Sequence, residues 1–151
     1  METIEQLIAE HAFFRGLEPE FVRFIAGCGR NVRFEAGEYV FREGGSADYF
    51  YLVRHGGVAL EISAPGRPGV VIQTLEEGDI VGASWLVPPY RWSFDARATE
   101  LTRAVALDAQ CLRGKCEEDH HLGYELMKRF VPVMIQRLQA TRLQVLDLYG
   151  P

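Results

Sequence analysis

Val81 to Ala98 reads VGASWLVPPYRWSFDARA. Gly82 leads into a short apolar run, followed by Pro88-Pro89 and then Arg91, set between Tyr90 and Trp92 with Phe94 close behind. One reading is the wall of a pocket. Gly82 lets a backbone come close to a bound molecule. A short helix opening at about Ala83 would turn its free N–H groups, near Ser84, toward an anion. Arg91 offers a bidentate contact to a phosphate or carboxylate. The other reading is an ordinary loop and β-corner, with the aromatics in the core and Arg91 at the surface. On these residues alone the corner is the better reading, and the flanking chain shifts the balance.

Upstream, from Asn31 to Asp108, short β-rich runs are broken by glycine. The expected strands are Val32–Phe34, Tyr39–Phe41, Tyr49–Val53, Val58–Ile62, Val70–Leu75 and Arg103–Leu107. Val58, Leu60 and Ile62 alternate with Ala59, Glu61 and Ser63, the pattern of a half-buried strand. Turns fall at Gly37, Gly44-Gly45, Gly56-Gly57, Pro65-Gly66, Gly69 and Gly78. Many short strands at this spacing indicate a sandwich, jelly roll or barrel, and nothing alternates with helices as a parallel sheet requires.

Downstream of Asp108 the chain reads as helix. Asp108 caps a short helix to about Cys116, and Asp119 caps the next. Val131, Met134, Leu138, Thr141, Val145 and Leu148 then follow spacings of three, four, three, four and three, an a/d seam. Ile135, Leu143, Leu146 and Tyr149 are apolar off the seam, so one face can pack on the β-domain and the other on a partner. A homodimer through this helix is the expectation. Pro132 should kink the helix or begin it.

Before the strands, Thr3 and Gln6 form a capping box ahead of Ile4, Leu7 and Ile8. His11 closes that helix and complements its dipole. Pro19 opens a second helix to about Gly27, with Phe21, Phe24 and Ile25 as its buried face. The chain thus divides into helices over 1–28, a β-roll over 31–108 and helices over 109–151, forming a single domain.

Composition bounds the function. The chain has 151 residues, 48% of them hydrophobic and 25% charged, ordinary for a globular domain. No apolar run is long enough to span a bilayer. The acidic, amphipathic N-terminus is no secretory signal, so a cytoplasmic location is expected. A net charge of -5 argues against non-specific nucleic-acid binding. Cys28, Cys111 and Cys116 are an odd count with no disulfide framework and are expected to be reduced thiols.

The order of these pieces resembles the cyclic-nucleotide-binding domain, and most of all the effector domain of the CRP/FNR regulators. The resemblance is carried by Phe14-Arg15-Gly16-Leu17, Phe34-Glu35-Ala36-Gly37-Glu38, Phe41-Arg42-Glu43-Gly44 and Ala47-Asp48. It continues through Tyr51-Leu52-Val53, Gly56-Gly57-Val58, Leu75-Glu76-Glu77-Gly78-Asp79-Ile80-Val81-Gly82 and Arg137-Leu138-Gln139-Ala140-Thr141. It implies a mainly β fold, a double-stranded β-helix or jelly-roll β-roll, with two short N-terminal helices and a long C-terminal one.

The resemblance also implies a ligand cassette made of Gly82, Ala83, Ser84, Arg91, Trp92, Ser93 and Thr141, and this cassette departs from the family pattern. Where the family has a glutamate accepting the ribose 2′-hydroxyl, this chain has Ala83. Losing a charged hydrogen-bond partner costs ~1.5–3 kcal/mol, about tenfold to hundredfold in affinity. The loop is about one residue short, and counting back from Ala98 puts Trp92 in the register of the family's phosphate-binding arginine. Trp92 and Phe94 replace small residues, and Ser93 remains as a hydroxyl donor. Thr141 matches a hydroxyl that reaches the base in cAMP-binding regulators, and it also reads as a tolerated polar residue in a helix seam.

The expected function is a stand-alone sensor or regulatory domain with a degenerate cassette, relaying ligand or partner state through the long helix. The alternative is an interaction module that kept the fold and lost nucleotide binding. The ligand implied is a cyclic nucleotide or another small anion, and the sequence does not identify a protein partner. The chain ends at Pro151 without a basic recognition helix, so specific DNA binding is not expected. No enzyme is expected either. A cupin-type metal site needs clustered histidines, and His11, His55, His120 and His121 are not so placed. The cysteines lack iron–sulfur spacing.

Overall fold

The structure, a computed structural model, describes residues 2–149 and, among these, every side chain except those at 64, 67, 68 and 143–149. Eight strands form two four-stranded antiparallel sheets. They are β1 (Gly29–Phe34), β2 (Tyr39–Phe41), β3 (Tyr49–His55), β4 (Gly57–Ala64), β5 (Arg67–Glu76), β6 (Ile80–Val81), β7 (Asp95–Ala98) and β8 (Thr102–Asp108). The strand orders are β1-β8-β3-β6 and β2-β7-β4-β5. The helices are α1 (Ile4–Glu10), α2 (Pro19–Ala26), α3 (Ala109–Glu118) and α4 (His120–Tyr149). This is the mainly β roll with flanking helices that the glycine-broken strands predict.

Local signals place most helix ends. Thr3 and Gln6 make the reciprocal capping box of α1, and Pro19 is the first residue of α2. Asp108 accepts from the Cys111 amide at the head of α3. Asp119 accepts from the His121 and Leu122 amides at the head of α4.

The core is aromatic where sheet meets helices. Phe50 of β3 stacks on Trp85 with ring centres 5.0 Å apart, and Phe130 of α4 meets Trp85 edge-on at 5.6 Å. Phe13 lies edge-on to Phe130 at 4.8 Å, in the segment joining α1 to α2. One buried cluster therefore joins the N-terminal helices, the roll and α4, and such ring pairs add ~0.5–1.5 kcal/mol each beyond their area.

Several expectations need correction. Strands β6 and β7, at the two ends of the cassette, were not predicted. β4 is buried on both faces, because Val58, Ala59, Leu60 and Glu61 are all covered while Ile62 is 39% exposed. Glu61 is tolerated there because Arg97 of the adjacent β7 grips it with two hydrogen bonds, at 2.6 and 3.2 Å. Phe24 is 41% exposed, and Val22 takes its place on the buried face of α2.

His11 does not complement a dipole as a cation. Its Nδ1 accepts from the Phe13 amide and its Nε2 donates to the Val53 carbonyl, which fixes a neutral tautomer, and burial pushes its pKa down. α4 runs without a break past Pro132, so that proline does not begin it. Cys28 and Cys111 are not free thiols: they form a disulfide between residues 83 apart in sequence, with Cα atoms 5.8 Å apart. The pairing comes from the fold, which sets Cys28, just before β1, against the first turn of α3. Only Cys116 is free.

Candidate functional site

The cassette runs from β6 to β7. Gly82 holds a φ of +100°, a left-handed conformation that side chains rarely adopt. The space above it is occupied by Trp92: a Cβ placed on Gly82 would lie 2.6 Å from two atoms of the Trp92 ring. Trp92 is 4% exposed and stacks on Phe41 of β2, with centroids 3.7 Å apart and planes 6° apart. Phe94 leans on the same Phe41 at 5.7 Å. The backbone fixes this pose, because the Trp92 amide donates to the Gly45 carbonyl and its own carbonyl accepts from the Gly44 amide.

The expected helix at Ala83 is one short 3₁₀ turn, Ser84–Leu86, with no side-chain cap. That is too short to build an appreciable helix field, so the anion argument from a helix terminus falls away. After it come a cis Pro88-Pro89 bond and Tyr90 at a φ of 55°. Arg91 is exposed, bridges to Ser46 and donates to the Gly44 carbonyl at 3.3 Å. Ser93 is exposed as well. Thr141 is exposed on α4, where its hydroxyl donates to the Arg137 carbonyl of its own helix. Of the expected residues, then, Gly82 and Trp92 meet directly, Ala83 and Ser84 follow in the turn, and Arg91, Ser93 and Thr141 sit at the surface.

Three residues not singled out from the sequence organise the site. Phe41 is the stacking partner of Trp92. Arg113 of α3 donates to the Trp85 carbonyl at 2.6 Å and lies 4.1 Å from the centre of the Tyr90 ring. Arg137 of α4 reaches the Ile80 carbonyl of β6. The Arg137 guanidinium is largely buried with no carboxylate bonded to it, and its Nε has no partner among the described residues. Burial lowers its pKa, with Asp79 acting in the opposite sense. A pocket of about 260 Å³ opens beside it, lined by Gln73, Thr74, Asp79 and Gln136. The place of Arg137 in the Arg137–Thr141 stretch that carries the family resemblance was the sequence signal for it, and its contact with β6 appears only in the fold.

Asp95, 8% exposed, accepts from the Glu43 amide at 2.7 Å and closes the cassette's far end onto the turn after β2. Among the described residues no three His, Cys, Asp or Glu side chains gather as a metal site, and no helix is long and apolar enough to cross a membrane.

With this geometry in view, comparison with known proteins places the chain. The family model of the cyclic nucleotide-binding domain matches residues 31–119, and the chain belongs to that family. A curated relative, the CRP-like cAMP-activated global transcriptional regulator of Mycobacterium tuberculosis, is 24% identical over 145 residues, 96% of this chain. The chain spans 63% of that relative's length. Among solved structures, a protein of Geobacter metallireducens described as cyclic nucleotide-binding is 31% identical. It superposes with a TM-score of 0.80, covering 91% of this chain and 99% of its own. The catabolite activator protein of Thermus thermophilus has the same fold, with a TM-score of 0.71 and 24% identity, covering 91% of this chain and 62% of its own. The chain is thus a cyclic-nucleotide-binding-domain fold related to CRP-like regulators, a regulatory family rather than a typically enzymatic one.

Proposed function

We propose that this chain is a non-enzymatic regulatory module that signals through α4 and whose nucleotide cassette is closed by its own Trp92. The observation that carries the reading is the Trp92 ring lying on Gly82 and stacked on Phe41. The indole takes the register where the family places the arginine that holds the cyclic phosphate, and Ala83 supplies no ribose acceptor. Binding a cyclic nucleotide here requires the indole to leave a 3.7 Å stack, a cost that an open cassette does not carry.

The output surface is α4. Val131, Met134, Ile135 and Leu138 are 39–52% exposed along it, a stripe suited to a second copy of the chain or to another protein. Phe130 on the same helix packs on Trp85 of the cassette, so a shift in one is felt by the other. Displacement of Trp92 by a small anion would give a ligand-dependent sensor. A Trp92 that stays in place leaves an interaction module acting through α4, and the tight stack favours that second reading.

The test is calorimetry with cAMP and cGMP on the full chain. The expected result is no binding below about millimolar concentration, consistent with the loss of two charged contacts at ~1.5–3 kcal/mol each. Sub-micromolar binding would refute the closed cassette.

A further inference from the structure

The disulfide does not lie sealed in the core. Cys28 is 8% exposed and Cys111 is partly exposed, and both line an open cleft of about 380 Å³ together with Gly27, Gly29, Arg30, Tyr49 and Asp108. Arg30 is exposed and lies 5.1 Å from the centre of the Tyr49 ring. Cys111 occupies the third position of the ten-residue α3, where the amides of the first turn favour a thiolate. The Asp108 carboxylate, which caps the helix by accepting from the Cys111 amide, acts in the opposite sense. The third cysteine does not compete, because burial pushes the Cys116 thiol up to about 11.

From this juxtaposition we infer that the Cys28–Cys111 bond is a thiol-exchange site, open to small thiols that carry carboxylates and that Arg30 helps to recruit. The incoming thiolate attacks Cys111 Sγ. A mixed disulfide forms, the Cys28–Cys111 bond breaks, and the electron pair leaves on Cys28 Sγ, which takes up a proton. A second small thiolate then attacks the outer sulfur of the mixed disulfide. It carries that sulfur away as the oxidised small disulfide and leaves Cys111 as a thiolate. Two small thiols are oxidised and one protein disulfide is reduced; the reverse reaction, with the oxidised small disulfide as oxidant, restores the bond.

The bond ties the entry of β1 to α3, and α3 packs on α4 so closely that a Cβ placed on Gly123 would lie 3.6 Å from Cys116. Exchange therefore acts on α3, which packs on the root of the long helix and through Arg113 also touches the cassette.

The exchange is run on the full chain without denaturant, and after an acid quench alkylation of the unfolded chain, read by intact mass, counts the free thiols. After oxidised glutathione one alkylatable cysteine is expected, and after reduced glutathione three. A glutathione mixed disulfide should be trapped on Cys111 in the Cys28→Ser variant. Arg30→Glu should slow the reaction with reduced glutathione several-fold and slow the reaction with 2-mercaptoethanol, whose thiolate carries no carboxylate, by less. Three outcomes would each overturn the inference: three free thiols that oxidised glutathione cannot reduce to one, a disulfide that exchanges only after unfolding, or equal glutathione rates for Arg30→Glu and the parent chain.

Discussion

Arg113 Nη1 donates to the Trp85 carbonyl at 2.6 Å while its guanidinium lies 4.1 Å from the centre of the Tyr90 ring. One side chain of α3 thus holds both arms of the cassette, the 3₁₀ turn and the left-handed corner at Tyr90. Arg113→Ala removes a charged hydrogen bond and a cation–π contact together, and the expected loss is about 2–3 kcal/mol. Arg113→Lys should recover only part of it, because an ammonium cannot both reach the carbonyl and lie flat near the ring. Urea midpoints of the two variants measure this, and an Arg113→Lys chain as stable as the parent would mean that the geometry of the guanidinium is immaterial.

Gly82 and Trp92 should behave as one unit. Gly82→Ala meets a φ of +100° and a ring 2.6 Å from the new methyl. The backbone term alone is about 1–3 kcal/mol. Trp92→Ala loses the stack on Phe41 and leaves a cavity, costing about 3–5 kcal/mol. In the double variant the methyl has the room the ring has vacated, so the two losses should fall short of additive by about 0.5–3 kcal/mol. Strict additivity in denaturant unfolding would mean that the ring does not bear on Gly82.

Acid should destabilise the fold through His11. Burial lowers its pKa, and both ring nitrogens are used by the neutral form, one accepting from Phe13 and one donating to Val53. The unfolded chain therefore binds a proton more readily than the folded one. The contribution of His11 is fully present above the ordinary histidine value of about 6.5 and is lost as pH falls through the lower folded value. Melting temperatures between neutral and mildly acidic pH should fall less steeply for His11→Gln than for the parent chain. Identical slopes would exclude His11 as the source.

What the sequence made legible, and what it hid, follows from the range of each signal. Turn glycines and alternating apolar residues act within a few positions, so six of the strands were placed closely. β6 is two residues long, and β7 reads Asp-Ala-Arg-Ala with no β-branched side chain, so neither carries a strand signal of its own. Glu61 marks β4 as half exposed until Arg97, across the β4–β7 pairing, is known to neutralise it. Counting back from Ala98 put Trp92 where an arginine was expected, and the structure buries that ring against Gly82. That the indole turns inward onto Phe41 depends on a partner 51 residues away, and the disulfide likewise joins residues 83 apart.

The exposed stripe on α4 should hold two copies of the chain together. Met134 and Leu138 are 39% and 52% exposed although both are large and apolar. Val145 and Leu148, which extend the sequence seam, lie outside the described side chains. Leu138→Asp places a charge in the middle of the seam, where an unpaired charge is costly in an apolar contact. Light scattering at micromolar concentration should give a dimer for the parent chain and a monomer for Leu138→Asp. A monomeric parent chain would rule the homodimer out.

Reopening the cassette takes two changes, and their order of effect separates a closed site from a lost one. Ala83→Glu supplies a ribose acceptor, but the Trp92 ring still lies on Gly82, so cAMP binding should remain undetected by calorimetry. Trp92→Arg removes the ring and puts a guanidinium in the register of the family's phosphate contact, so weak binding is expected from it alone. The double variant should bind more tightly than Trp92→Arg by about tenfold to hundredfold, the worth of one charged hydrogen bond at ~1.5–3 kcal/mol. Arg91→Ala in that background should leave affinity unchanged, because Arg91 is exposed and spends its guanidinium on the Gly44 carbonyl. If Arg91→Ala abolishes binding instead, the anion sits against the outer corner of the loop and the inner register assigned to Trp92 is wrong. If the double variant folds, as near-UV circular dichroism reports, yet binds nothing, the roll has lost more than its two charged contacts and α4 alone carries the function.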